Sequence, residues 1–333
     1  MESASRVLRY TLLESDPHSE RASFAEAVAR GLGSEPKSLP CRFLYDEVGS
    51  KLFEEICRLP EYYLTRAERR ILETQADDIA ACFDEPALLA ELGSGSSAKT
   101  RLLIEAFLRR QGRLRYVPVD IAREILDESA QALLADYRAL EIRAIAGEYQ
   151  QGLRHLHGER TCPKLIAWLG SNIGNFDRAG AAEFLAHIRG AMEPRDRLLV
   201  GIDLRKDRRT LERAYDDSLG VTARFNLNLL ARINRELGGG FDLAHFEHEA
   251  LWREREGRME LSLVSRRDQE VRIRALDQVV KLRDGERIHT EDSFKYSYEE
   301  IAEIASAASL CVARRWLDPT GAYSLNLLAP DGA

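Results

Sequence analysis

Glu91-Leu92-Gly93-Ser94-Gly95-Ser96-Ser97-Ala98 is a glycine-rich turn between an apolar run and an amphipathic one. Residues 87–92 read as a buried strand and residues 98–108 as a helix, so the turn joins a strand to a helix. Glycines there permit a tight turn and close approach of backbone to a ligand, and the amides that open the helix are free donors.

Outward from that turn the alternation continues. Residues 114–119, 140–146, 165–169 and 198–202 read as further strands, and residues 121–137 and 179–192 as helices between them. This is the repeated strand–helix pattern of a parallel sheet covered on both faces. After a helical stretch at 298–307, residues 310–317 and 323–328 form a strand pair around the turn Asp318-Pro319-Thr320-Gly321. Two regions stand outside the alternation: the chain up to about residue 66, with amphipathic stretches at 24–32 and 49–59, and the chain after Leu204. The latter has helical patterns at 211–218 and 221–237, then strands at 258–265 and 270–280. An insertion after the fifth strand lies over the carboxyl ends of the sheet, where ligands bind.

Composition narrows the possibilities. The 333 residues suffice for one large or two intertwined units, and 44% hydrophobic with 31% charged residues is the balance of a folded globule. No apolar run approaches the length of a membrane span, and the N-terminus lacks the apolar core of a leader, so a cytoplasmic protein is expected. A formal charge of −7 with scattered arginines speaks against a nucleic-acid partner. The five cysteines are far apart with no zinc-type spacing, and Cys57, Cys311, His187 and His248 read as structural. His245 and His248 can share a helical face, but no third ligand accompanies them and no metal is expected.

Three strand ends converge on one nucleoside. Beside the Gly93 loop, Asp120 ends the second strand where a carboxylate can accept from both ribose hydroxyls, and Glu148 with Tyr149 follows the third, offering a polar edge and an aromatic face to an adenine. A nicotinamide dinucleotide and S-adenosylmethionine both use this geometry. Glu91, two residues before the first glycine, is poorly placed beside phosphates and suits a cationic sulfonium. With the terminal hairpin, the chain resembles the class I S-adenosylmethionine-dependent methyltransferases, which implies an α/β fold with a Rossmann-like seven-stranded sheet.

Five further segments narrow the resemblance: residues 45–53 (YDEVGSKLF), 59–66 (LPEYYLTR), 169–176 (LGSNIGNF), 214–217 (AYDD) and 290–293 (TEDS). In order and spacing they are similar to the histidine Nα-methyltransferases of ergothioneine biosynthesis, which convert L-histidine to hercynine. That resemblance implies methyl-donor contacts at Gly93, Lys99, Asp120, Glu148 and Tyr149, the last two standing where an Asp-Phe pair is common. It implies a histidine seat of Tyr45, Tyr62, Gly170, Asn175, Tyr215, Leu261, Glu291 and Ser293, with Asn175 and Tyr62 at the reacting amine and Glu291 and Ser293 at the imidazole. Leu261 replaces a thioether-bearing position of the family. The division implied is a substrate-binding unit of residues 1–67 and 205–295 and a methyltransferase unit of residues 68–204 and 296–333, in a monomer with S-adenosylmethionine as its donor and no metal.

The chemistry agrees with these roles. An amine lone pair attacks a methyl already activated by positive sulfur, so positioning contributes more than a strong base. Each transfer requires the amine to shed a proton, expected to leave through solvent or a phenol because no histidine falls in a matched segment. Aromatic rings stabilise the cation as methyls accumulate. Three rival readings remain at this stage: the same fold acting on tryptophan or tyrosine, an oxidoreductase using the Gly93 loop for NAD, and a non-catalytic sensor of S-adenosylmethionine or an amino acid.

Overall fold

A computed structural model of the chain describes residues 9–14 and 17–332; residues 1–8, which the readings of the leader and of the first unit include, lie outside the described residues. In chain order the strands are β1 (Tyr10–Glu14), β2 (Lys37–Ser38), β3 (Leu88–Leu92), β4 (Leu114–Asp120), β5 (Leu140–Ala146), β6 (Lys164–Trp168), β7 (Arg197–Asp203), β8 (Phe246–Arg253), β9 (Arg258–Ser265), β10 (Gln269–Ile273), β11 (Gln278–Leu282), β12 (Arg287–Phe294), β13 (Leu310–Leu317) and β14 (Tyr323–Pro330).

The large sheet runs β1-β5-β4-β3-β6-β7-β14-β13. Its first six strands pair in parallel, and β14 is antiparallel to both β7 and β13. Every residue of β3 and β6 is buried, because helices cover both faces of the sheet centre. From β3 the chain winds outward to β4 and β5, then returns to the other side of β3 as β6 and β7. The crevice between the carboxyl ends of β3 and β6 is therefore the switch point where open α/β sheets bind ligands.

The sheet has eight strands where seven were expected. The extra strand, β1, pairs in parallel with β5; it comes from the N-terminal segment and covers an edge that would otherwise expose unpaired backbone groups. Its signal is an alternation in which Tyr10 and Leu12 are half-buried while Thr11 and Leu13 are exposed.

A second sheet, β2-β12-β9-β8, joins β2 of the N-terminal segment to strands of the inserted region, which also holds the hairpin β10-β11. The stretch at 270–280 is not one strand: it breaks at Arg274–Leu276, where Asp277 takes φ 45° and reverses the chain. The stretch from 246 is a strand rather than a helix. His245 ends a short 3-10 turn and His248 lies in β8, so the two share no helical face. The 3-10 turn Asn172–Asn175 after β6 meets β12 closely enough that a Cβ on Gly174 would lie 2.9 Å from the Phe294 carbonyl oxygen.

Helix Tyr63–Ala80 runs across the division expected at residue 67 and packs its apolar stripe (Leu64, Ala67, Ile71, Leu72, Ala76, Ile79) into the core. Glu68 lies on that stripe, fully buried. Its carboxylate accepts from Tyr323 Oη at 2.8 Å and from the Gly170 amide at 2.9 Å, and forms an ion pair with Lys99. Gly201 in β7 makes the room: a Cβ there would overlap the Glu68 carboxylate and lie 2.5 Å from Tyr323 Oη. Gly201→Ala is expected to lower stability by about 1–3 kcal/mol, read by chemical denaturation, since neither neighbour can withdraw without losing a buried partner.

Candidate active site

The turn that follows β3 owes its shape to alternating left-handed residues: Gly93, Gly95 and Ser97 have φ of 75°, 48° and 53°. The Gly93 amide donates to the Val119 carbonyl at 2.8 Å, tying the turn to the end of β4. Glu91 braces it from beneath, accepting from Thr100 Oγ1 at 2.6 Å and from the Tyr116 hydroxyl. Burial pushes the Glu91 carboxyl up to about 7. Its oxygens thus serve the loop and helix Thr100–Gln111, which gives the acid in the glycine-rich motif a structural role.

Above this turn the backbone is open. A Cβ at Gly95 would meet nothing within 4 Å, and the Ser94 hydroxyl is buried with no partner. Asp120 accepts the Gly95 amide at 2.8 Å through Oδ2 and the Ala122 amide at 2.9 Å through Oδ1. Each carboxylate oxygen retains acceptor capacity for a ribose hydroxyl. An adenosine ligand fits this donor and acceptor set.

Beside it lies a cavity of about 910 Å³, lined by Ile121, Ala122, Glu148 and Gln151 on the sheet side and by Arg42, Tyr45, Asp46 and Glu54 on the other. Two contacts cross it: Arg42 to Glu148 at 2.8 Å and Ser96 to Glu54 at 2.9 Å. Of the residues implied as donor contacts, Glu148 lines this cavity, and Gly93 and Asp120 shape the turn next to it. Tyr149 does not line that cavity but reaches the turn itself. Its ring packs against Trp168 and Phe184, and its hydroxyl would lie 3.0 Å from a Cβ on Gly93.

A second, narrow cavity of about 40 Å³ is lined by Tyr45, Tyr62, Gly170, Asn175, Tyr215, Leu261, Glu291 and Ser293, bringing all of the implied histidine seat together. Tyr45 lines both cavities, so they adjoin. Strand alternation explains the ring-reading pair: Glu291 and Ser293 are two apart on β12 and face one way, and the register sets Leu261 of β9 opposite Glu291. Tyr62 meets Phe53 and Tyr215 edge to face, and Tyr45 meets Phe53 and Phe225 likewise. Part of the motif at 45–53 is purely structural: Asp46 caps helix Glu47–Ile56 by accepting the Gly49 amide at 2.7 Å, and a Cβ on Gly49 would overlap the Leu44 carbonyl.

Burial drives the electrostatics. The Tyr45 and Tyr62 phenols are held well above their usual range, so both stay protonated. Glu291 is pushed up to about 7 by burial, against the opposing pull of Lys295, with the Asp292 charge raising it and His289 lowering it to a smaller extent. No histidine lines the narrow cavity, and among the described residues no cluster of His, Cys, Asp and Glu could hold a metal ion.

The family model described as histidine-specific methyltransferase, SAM-dependent, matches residues 24–330. The chain belongs to that family. It is 44% identical over 310 residues to the histidine N-alpha-methyltransferase of Mycolicibacterium smegmatis, covering 92% of this chain and 95% of that one. It is also 44% identical over 303 residues to the protein of that name in Mycobacterium tuberculosis, covering 91% and 93%. A more distant relative, the L-tryptophan methyltransferase of Psilocybe serbica, is 31% identical over 335 residues, covering 93% and 92%.

Members of the family depend on S-adenosylmethionine, and Gly93, Gly95, Ser94 and Asp120 are the groups here that fit its nucleoside and amino-acid tail. Three residues at the junction were missed by the sequence reading. Glu68 holds Lys99, whose Nζ would lie 3.7 Å from a Cβ on Gly170; an acid on the apolar stripe of its helix was the available signal. Asn172, inside the matched segment 169–176, lines the narrow cavity and would sit 3.1 Å from a Cβ on Gly93. Lys295, two residues beyond Ser293, is completely buried.

The raised carboxyl of Glu291 has a thermodynamic sign. Its usual value of 4.5 in the unfolded chain and about 7 in the folded one mean that the native state holds the proton more tightly. Stability from this group is complete below the lower value and is lost as the pH rises through the higher one. Glu91 acts over the same window. Glu291→Gln should remove part of the stability lost between about pH 5 and about pH 8, read as the difference between denaturant titrations of the variant and the wild type, both ligand-free.

Proposed function

We propose that this protein transfers three methyl groups from S-adenosylmethionine to the α-amine of L-histidine, yielding hercynine, the first step of ergothioneine biosynthesis. The observation that carries this reading is the narrow cavity that gathers the phenols of Tyr45, Tyr62 and Tyr215, the Asn175 amide and the Glu291–Ser293 pair, with its lining residue Asn172 beside Gly93.

When bound, S-adenosylmethionine supplies a methyl on positively charged sulfur. The Asp120 carboxylate takes the ribose hydroxyls, the Gly93–Gly95 backbone and Ser94 accommodate the rest, and Lys99 neutralises the carboxylate of the amino-acid tail. Asn175 orients the histidine amine through its side-chain carbonyl, and the Tyr62 phenol bonds beside it. The Tyr215 phenol, hydrogen-bonded to Ser293, stands where the amino-acid end meets the ring, and Tyr45 lies nearby.

Because burial keeps the phenols neutral, they orient the amine by hydrogen bonding and its proton passes to water. No carboxylate is committed to an ion pair with the ammonium, so loss of its N–H donors over successive transfers leaves no orphaned charge, and the surrounding rings favour the final quaternary cation. Glu291 accepts from an imidazole N–H, and Ser293 meets the other ring nitrogen.

Mass spectrometry of a reaction holding S-adenosylmethionine and the twenty amino acids tests this. A gain of three methyls on histidine alone is expected; methylation of tryptophan or tyrosine instead would discard the ring-recognition argument. Asp120→Asn should weaken S-adenosylhomocysteine binding about tenfold or more by calorimetry, through loss of a charged acceptor, while the histidine KM changes little.

A further inference from the structure

Beneath the ring-reading end of the narrow cavity lies a cation that none of the roles above uses. Lys295 has no solvent exposure, and its ammonium has three partners: Asp203 Oδ2 at 2.9 Å, Tyr215 Oη at 2.7 Å and Ser293 Oγ at 2.9 Å. Burial opposes its charge, but Asp203 and Tyr215 hold it protonated, raised to about 12. Asp203 is itself completely buried and anchored from the other side, accepting from Tyr63 Oη at 2.7 Å and pairing with Lys206 at 2.6 Å. The ammonium therefore sits in a fixed place with all three of its protons committed.

That commitment determines what the two hydroxyls can do. An ammonium donates and never accepts, so Tyr215 Oη and Ser293 Oγ are both acceptors toward Lys295. The two hydroxyl oxygens are also 2.8 Å apart, close enough that one proton bridges them. Two hydroxyl protons minus the bridging one leave a single proton, and it can only be donated outward, into the cavity that both residues line. We propose that Lys295 is a positioning residue that fixes the Tyr215–Ser293 pair as one outward hydrogen-bond donor, and thereby selects a substrate side chain that presents an acceptor nitrogen there.

This inference rests on the histidine reading and extends it. Glu291, on the same face of β12, is an acceptor when ionised, so the two ends of the ring seat ask for one N–H and one lone pair. Neutral imidazole carries both. Imidazolium has two N–H groups and no lone pair, and an indole or pyrrole has one N–H and no acceptor nitrogen. A ring without the acceptor leaves the outward hydroxyl proton buried and unpaired, and a site built to bond a missing group rejects the analogue strongly.

The test compares histidine with the two pyrrolylalanines, which keep one ring N–H and replace the other nitrogen by C–H, in the wild-type enzyme and in Lys295→Met. Wild type is expected to use either pyrrole at least about tenfold less efficiently in kcat/KM than histidine. In K295M the hydroxyl pair regains the freedom to turn its protons inward, so the histidine KM should rise about tenfold with kcat within about threefold, while the preference over the pyrroles shrinks at least about fivefold. A merely structural role would lower activity on all three substrates alike, and an unchanged preference in K295M overturns the proposal. If K295M does not fold, as judged by its thermal transition, the wild-type comparison decides: equal use of the pyrroles and histidine overturns the proposal, and rejection of both upholds it. Failure of wild type to methylate histidine at all would instead count against the underlying reading of the reaction.

Discussion

A buried carboxylate ties the two cavities to the sheet. Glu68 stands on the inward stripe of helix Tyr63–Ala80, where an unpaired charge would cost several kcal/mol, and it is tolerated because every direction offers a donor: Lys99 from the start of helix Thr100–Gln111, the Gly170 amide at the end of β6 and Tyr323 at the start of β14. Three strand or helix ends that diverge in sequence are thereby drawn to one point. Gly201 is the steric counterpart, since a side chain there would overlap the carboxylate, and Gly170 takes the left-handed φ of 77° that presents its amide. Removing any one partner would leave a charge or an amide unpaired in the interior.

From that point the site divides by chemistry. On the sheet side are backbone amides, an aspartate and open glycine backbone suited to a nucleoside. Across from it are phenols of the N-terminal and inserted segments, the Asn175 amide on the turn after β6, and a strand of the insertion whose alternate residues reach inward. Burial gives this second half its character: it keeps phenols neutral, lifts Glu291 toward neutrality and requires Lys295 to be paired on every side. A site of neutral hydrogen-bonding groups around a reacting amine tolerates the change from primary amine to quaternary cation better than one built on a salt bridge would.

Much of this was legible in the residues. The parallel strand at 140–146 and the helix at 221–237 have the bounds read from the apolar pattern, because a strand that alternates buried Leu140, Ile142 and Ala144 with half-buried Glu141 and Arg143, and an amphipathic helix, each leave a clear pattern. The histidine seat came from segments far apart in the chain, and the fold brings all eight of its residues to one cavity. What escaped was written in charged residues. β12 reads RIHTEDSF, polar at most positions, and becomes a strand because pairing with β9 buries its alternate side chains. Glu68 and Lys295 look like surface charges until the fold supplies their partners, and β1, an edge strand whose residues 10–13 are half-buried or exposed, lacks the continuous apolar run that marks the equally short β3 and β6. The histidine pair near 245 misled for the opposite reason: spacing suggested a helix, while alternation in β8 decided otherwise.

The central claim is that one amino acid lies across the narrow cavity with its amine toward the Gly93 turn and its ring between Glu291 and Ser293. A crystal structure of the ternary complex with S-adenosylhomocysteine and L-histidine tests it most directly. The account predicts the α-nitrogen beside Asn175 and Tyr62, facing the sulfur, and the imidazole nitrogens bonded to Glu291 and Ser293. Histidine bound in the reverse direction, or in the larger cavity lined by Arg42 and Glu148, would contradict it.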